Sequence, residues 1–438
     1  MIPIFTQYTL QDLREACEQG QKEQFLLEAM DAYRGSRDHT RAREAMEYFM
    51  GRNIAIMNKY ILKAEVETVK DAYGRERRAA RTVRVEGNRL PCGFFRRAVM
   101  QLSQYLLSGG VILPEEKHKK ALGPGFDKAL EQAGELALVQ GVCWVEVRDG
   151  HTQVIPAAEG RLCGFFPLYD EMTGRLGAGA RFWQLNENKR LHLQLFEQDA
   201  VSLYRLEDSG LHLLRREGCR GLCVFPLYAN NERESELTEP IRRKIDAYDS
   251  ILSDLGNNLD RANEVYWVLN NFGGQTQQAL EVVEEINRLK TVINRSDGQG
   301  GATADVKCVE VPWQARKTAL DILRRELYSD FMALDMDALK GGSLTNVAIR
   351  TAAADLDLKA NAFEWQCFCF VQSVLEHLGI RSENISFRRQ CISNAHETLQ
   401  DICLMRGDID RACALRLNPY IDQDEALRLS KKEREEHK

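Results

Sequence analysis

Apolar side chains recur at helical spacing in two long stretches of the chain. Across residues 239–261, Ile241, Ile245, Tyr248, Ile251, Leu252, Leu255 and Leu259 fall on one stripe, while Arg242, Arg243, Asp246, Asp249 and Asp254 take the opposite face. Thr238 stands ahead as an N-cap residue type, and Pro240 lies in the first turn, where its missing N–H costs no hydrogen bond. The spacing predicts an amphipathic helix about 35 Å long at about 1.5 Å per residue. From Trp313 onward, Leu320, Leu323, Leu327, Phe331 and Leu334 keep the same steps and predict a second such helix over 313–334. Periodicity stops at 335–344, where Gly341 and Gly342 each cost a helix roughly 1 kcal/mol and admit positive φ. Good helix formers return over 347–378, and Ala348, Ala352, Ala353, Ala354, Ala360 and Ala362 there allow close approach of neighbouring backbones.

The flanking regions complete an α+β reading. Between the two amphipathic helices, 264–269 reads as a strand, 275–289 as a helix, 296–301 as an open loop or hairpin tip and 305–311 as a strand. The N-terminal region predicts helices over 22–33, 37–50, 91–107 and 127–140. Short strands follow at 142–147, 162–168, 180–185, 191–196, 201–206 and 211–214, separated by turn residues, which reads as a β-meander on a helical layer. Beyond Ser382, short helices over 395–404 and 408–417 precede the breaker Pro419 and a tail of alternating charge.

Composition narrows the function classes. A hydrophobic content of 44% with 28% charged residues is ordinary for a globular protein, and a formal charge of -6 argues against a surface that grips nucleic acid everywhere. No apolar run approaches the roughly 18 residues of a membrane span, and the first residues lack the basic start of a signal peptide. The 12 cysteines show no disulfide-framework spacing and read as free thiols, and no His or Cys spacing reads as a zinc site. The chain carries no dinucleotide-binding glycine fingerprint, P-loop, His-Glu-x-x-His or nucleophile elbow. The acidic pairs Asp335 with Asp337 and Glu284 with Glu285 read as ordinary surface pairs at helix ends, so the expectation is a non-enzyme with no cofactor and no metal. A basic run, Arg75, Arg77, Arg78, Arg81, Arg84, Arg89, Arg96 and Arg97, suits a solvated arm making salt bridges between subunits better than a DNA contact.

The order of these segments resembles the portal proteins of tailed bacteriophages and prophages, the group of the Gp6-type portal of phage SPP1. Glu239-Pro-Ile-Arg-Arg-Lys-Ile-Asp-Ala-Tyr-Asp-Ser-Ile-Leu-Ser-Asp-Leu-Gly-Asn-Asn resembles the first stem helix of that family. Thr345-Asn-Val-Ala-Ile-Arg350 is similar to its Ser-Gly-Val-Ala-Leu-Lys type turn after the tunnel loop, departing from it at Thr345-Asn346. Asn88 with 94–107 resembles a wing helix, and Phe225-Pro-Leu-Tyr-Ala-Asn-Asn231 resembles the segment leading into the stem.

The resemblance implies a wing over 1–238, stem helices over 239–263 and 313–334, a clip over 264–312, a tunnel loop over 335–345, a long wing helix over 346–379 and a short crown over 380–438. It also implies a dodecameric homo-oligomeric ring at a capsid vertex of the virion, assembled in the host cytoplasm, through which double-stranded DNA is packaged and ejected. The implied partners are the large terminase subunit, a head-completion or adaptor protein, and the major capsid and scaffolding proteins. In that scheme Asp335, Asp337, Lys340, Gly341, Gly342 and Ser343 face the channel, and Lys340 is the one basic residue of the loop. Asn294, Arg295, Ser296, Asp297, Gly298, Gln299 and Gly300 form the docking tip of the clip. Two other readings stay open: a neck or baseplate ring that never touches DNA, and a cytoplasmic metal-dependent enzyme.

Overall fold

The computed structural model describes residues 7–70, 76–186, 188–260, 265–270, 305–310, 313–337, 345–381, 384–390, 394–405, 410–418 and 420–421. The chain opens with α1 (Leu10–Glu18), α2 (Lys22–Gly35), α3 (Arg37–Phe49) and the single turn α4 (Ile54–Met57), then the strands β1 (Tyr60–Lys70) and β2 (Glu76–Glu86). Next come α5 (Phe94–Leu107), β3 (Val111–Ile112), α6 (Glu116–Leu122) and α7 (Phe126–Gln140). Strands follow: β4 (Val142–Arg148), β5 (His151–Pro156), β6 (Ala158–Glu159), β7 (Cys163–Tyr169), β8 (Leu176–Trp183), β9 (His192–Phe196), β10 (Ala200–Glu207), β11 (Gly210–Gly218) and β12 (Val224–Tyr228). The last part holds α8 (Glu239–Asp260), β13 (Val265–Asn270), β14 (Asp305–Glu310), α9 (Trp313–Phe331), α10 (Asn346–His377), β15 (Ser386–Phe387), α11 (Ala395–Leu404) and α12 (Arg411–Leu417). The chain divides into two units. One comprises Met1–Met50, Phe94–Thr238 and Tyr328–Lys438, the other Gly51–Gly93 and Glu239–Leu327.

The first unit is built around an antiparallel six-stranded meander in the order β11-β10-β9-β8-β7-β6. Successive side chains of a strand point to opposite faces, so Phe165 and Phe166 enter different cores. Phe166, Phe182, Leu193 and Leu195 pack with Leu26, Met30 and Tyr33 from α2, while Phe165, Phe196 and Val201 pack with Trp144, Ile155 and Val224 of the sheet β12-β4-β5. The Trp144 and Phe165 rings stack 4.4 Å apart. A second helical layer joins α5, α7 and α10, with Phe126 stacked on Phe370 at 6.3 Å. On α10 Ala353 and Ala360 are buried, as close backbone approach requires, whereas Ala348, Ala352, Ala354 and Ala362 face outward in the single chain.

Helix α1 was not expected from periodicity; a local signal specifies its start. The Thr9 hydroxyl accepts from the Asp12 N–H at 3.4 Å and the Asp12 carboxylate accepts from the Thr9 N–H at 2.7 Å, a reciprocal cap that satisfies two otherwise orphaned donors. The predicted helix over 275–289 lies outside the described residues. The second unit holds α4, α8, the body of α9, the pair β13-β14 and an antiparallel ribbon of β1 and β2 that pairs Tyr60 with Glu86 through Lys70 with Glu76. That ribbon places Arg77, Arg78, Arg81 and Arg84 of the basic run on one strand.

Candidate functional site

Helix α8 is where the structure departs most from the sequence reading. Among its residues 239–257 the buried positions are Ile241, Ile245, Asp249, Ser253 and Asn257, each four residues on from the last. Asp249, expected on the solvent face, is 0% exposed, and so is Ser253. The reason is an extended segment laid along the helix. The N–H groups of Asn88, Leu90 and Cys92 donate in turn to Asn257 Oδ1 at 2.5 Å, Ser253 Oγ at 3.0 Å and Asp249 Oδ1 at 2.7 Å. Two residues of extended chain advance about 6.6 Å and four residues of helix about 6.0 Å, so alternate amides stay in step with every fourth side chain. Three helix side chains thereby do the work of a neighbouring strand's carbonyls.

Two further groups complete this seam. Asn53 Nδ2 donates to the other Asp249 oxygen at 2.7 Å, and its own Oδ1 accepts from the Ala55 N–H at 2.8 Å, capping α4. Burial raises the Asp249 pKa, with the bonds from Asn53 and Cys92 pulling against it. The close approach needs Gly256, where an added Cβ would lie 3.1 Å from Leu90 Cδ1 and 3.4 Å from Asn88 Nδ2. At the helix edge Lys59 Nζ reaches Ser250 Oγ and the Asp254 carboxylate, both at 2.8 Å. Lys244 pairs with Glu326 at 2.9 Å and ties α8 to α9.

Helix α9 begins as predicted and stops three residues earlier than Leu334. Met332 takes φ 60°, and the pair of bonds Met332 N–H to Ser329 O at 3.0 Å and Ala333 N–H to Tyr328 O at 2.9 Å closes the last turn in a Schellman motif. Gln101 on α5 then holds the chain just beyond it. Its Nε2 donates to Leu334 O and its Oε1 accepts from the Leu334 N–H, each at 3.0 Å. Around the same turn Phe94 meets Tyr328 and Phe331 edge-on at 5.2 and 6.1 Å, and Phe49 meets Phe95 at 6.5 Å. The chain passes between the units beside Phe49, Phe94, Thr238 and Tyr328, so aromatic residues flank three of those four passages on the first-unit side.

The expected channel residues are only partly on view. Asp335 Oδ1 accepts from the Asp337 N–H at 3.0 Å, an Asx-type turn that spends one carboxylate oxygen locally. Lys340, Gly341, Gly342 and Ser343 lie outside the described residues, as do Asn294, Arg295, Ser296, Asp297, Gly298, Gln299 and Gly300. The far side of the loop is anchored: Thr345 caps α10 by accepting from the Ala348 N–H at 3.2 Å. Asn346 accepts from the Asn394 N–H at 2.7 Å, donates to Thr398 Oγ1 at 3.3 Å, and gives its own N–H to Glu397. The two residues that depart from the family-type turn thus have structural jobs. From the basic run, Arg84 lies over the Tyr60 ring at 5.7 Å, Arg89 pairs with Glu86 at 3.6 Å, and Arg96 lies over Phe49 at 5.7 Å.

Among the described residues no cluster of three or more His, Cys, Asp or Glu is arranged to hold a metal ion, and no helix is long and apolar enough to cross a membrane. Sequence reasoning overlooked Asn53, Gln101, Ser253 and Asn257. The usable signal was the four-residue step from Ile241 and Ile245, which continues through Asp249, Ser253 and Asn257.

The chain is 26% identical over 209 residues to the portal protein of Clostridium phage phiCD119, a match covering 46% of each chain. It is 28% identical over 218 residues to the portal protein of Bacillus phage SPP1, covering 46% of this chain and 42% of that one. The chain thus spans less than half the length of these curated relatives. A solved structure, the neck of a native GTA particle computed with C12 symmetry, aligns over 75% of this chain and 90% of its own at 12% identity and a TM-score of 0.40. The phage portal protein family, SPP1 Gp6-like, matches residues 31–438, and the chain belongs to that family.

Proposed function

We propose that this protein assembles as a closed ring at one vertex of a phage capsid and serves as the conduit through which double-stranded DNA enters and leaves. The observation that carries the reading is the order of long helix, strand pair, long helix and longer helix within a family match over residues 31–438. In this scheme α8 and α9 are stem helices, β13 and β14 belong to the clip, residues 335–345 are the tunnel loop, and α10 with the meander forms the wing. The clip tip at 294–300 docks the large terminase subunit and later a head-completion protein. The protein carries no hydrolytic step of its own. Its formal charge of -6 suits a conduit, because a lumen rich in phosphate contacts would hold a polyanion instead of letting it slide. Lys340 would add one weak, salt-screened cation per subunit.

Electron microscopy and light scattering of the purified protein test the proposal. The expected result is a ring with an axial hole wide enough for a duplex. A stable monomer near 50 kDa at micromolar concentration, or a ring without a hole, overturns it.

A further inference from the structure

We infer that Lys359 is a positioning residue within the first unit, holding the segment just before α8 and the last turn of α9 together on α10. Its Nζ lies 2.6 Å from Glu236 Oε2 and 3.7 Å above the centre of the Phe331 ring. The lysine and glutamate side chains are only 13% and 14% exposed, and Phe331 is 0% exposed. Each partner has one or more further contacts of its own. Glu236 accepts from Asn230 Nδ2 at 3.0 Å and its N–H donates to Leu138 O at 2.9 Å; Phe331 is wedged edge-on against Phe94 and Phe95 at 6.1 and 6.4 Å.

Between Glu236 and Phe331 the chain makes its whole 239–327 excursion through the second unit, and one ammonium group collects both ends. An ion pair this little exposed adds small net stability, because desolvation offsets most of the attraction. Its geometry is strict, however. The ammonium must satisfy a carboxylate and an aromatic face at once, which fixes both partners relative to α10, whereas an apolar side chain would pack against Phe331 and leave the carboxylate with Asn230 but without its cation. Lys359 therefore sets where Glu236 and Phe331, the two roots, sit on α10 within the first unit more than how tightly that unit is folded. Its consequence for a DNA channel rests on the portal reading; the placement of the roots does not.

The test separates position from stability. Spin labels carried by non-natural residues at the exposed positions Glu232 and Ser329, both in the first unit, report the distance between lead-in and last turn in the parent and in the apolar pair Glu236→Leu with Lys359→Met. The expected result is one narrow distance in the parent and a distribution about twofold broader, or shifted, in the double variant at an unchanged or higher Tm. A double variant as narrow and unshifted as the parent overturns the assignment, and so does a broad parent. Lys359→Arg keeps the charge and the ring contact and should preserve the narrow distance; if the apolar pair fails to fold, a broadened Arg variant overturns the proposal. Ring formation scored on the same samples fails separately if the portal reading is wrong, while the distance measurement still decides the role of Lys359.

Discussion

Replacing Asp249 by alanine tests whether the polar seam holds residues 88–92 on α8. The substitution strips two donors of their acceptor, Asn53 Nδ2 and the Cys92 N–H, both bonded at 2.7 Å to a carboxylate that is 0% exposed. Each stranded buried donor costs about 1–3 kcal/mol, and release of a desolvated carboxyl returns part of that, so the net loss is about 3 kcal/mol. Asp249→Asn keeps the shape and one acceptor but turns its NH₂ toward that of Asn53. Asn53 has no free flip, because its Oδ1 caps Ala55, so this variant loses about 1–2 kcal/mol. The pH dependence has a definite sign. Burial raises the Asp249 pKa above its unfolded value, so the associated stability is present below the unfolded pKa and is lost as pH rises through the folded one. The asparagine variant has no such slope, and its deficit against the parent narrows as pH rises. Hydrogen exchange of a peptide spanning 86–93 is the assay. About 3 kcal/mol corresponds to a hundredfold or greater loss of protection if the segment opens locally. Parent-like exchange in Asp249→Ala refutes the reasoning, since it would mean that the three side-chain acceptors do not hold the segment.

Gly256→Leu should overpack the same seam against Leu90 and lower stability by about 1–3 kcal/mol, with Leu90→Ala restoring part of it; thermal melts of the single and double variants decide the point. Met332→Gly should stabilise by about 1 kcal/mol, because φ 60° is strained for methionine and free for glycine, and an unchanged or lower Tm counts against the strain. Asp38, pushed up to about 6 mainly by burial, contributes stability below its unfolded pKa that is lost as pH rises toward 6; Asp38→Asn should therefore melt higher than the parent by a margin that grows from pH 4 to 6 and then stays constant. His39, 1% exposed, has its pKa lowered by burial and stays neutral, so Tm should fall as pH drops below about 6.5, and His39→Phe should flatten that limb.

Helix type and extent were legible in the sequence wherever one residue's neighbours at three and four positions carry the signal. The expectations over 239–261, 313–334 and 347–378 meet α8, α9 and α10 within a few residues, and β7 to β11 of the meander were legible because alternation is equally local; the two-residue β6 was not, and the strand over 142–147, expected in the meander, is β4 of the separate sheet β12-β4-β5, because sheet membership depends on which distant strand pairs with it. Residues 60–86 escaped notice as a ribbon because charges interrupt the alternation of β1 and β2, and α1 escaped because its start lies in a cap and not in a stripe. The order β11-β10-β9-β8-β7-β6 follows the chain, while the pairing of β12 with β4 needed contact between strands about eighty positions apart.

What only the tertiary structure decided is the fate of the polar residues. Asp249, Ser253 and Asn257 continue the four-residue step of Ile241 and Ile245, but a carboxylate or hydroxyl is buried only when a partner arrives, and here the partners are backbone amides more than a hundred and fifty residues away. Lys359 and Gln101 are ordinary helix-surface residues in sequence, and become anchors because Glu236, Phe331 and Leu334 are brought to them by the packing of α5, α9 and α10. Periodicity is written into near neighbours and can be read from them; the identity of a buried group's hydrogen-bond partner depends on which distant segments pack together, and that is settled only when the chain closes on itself.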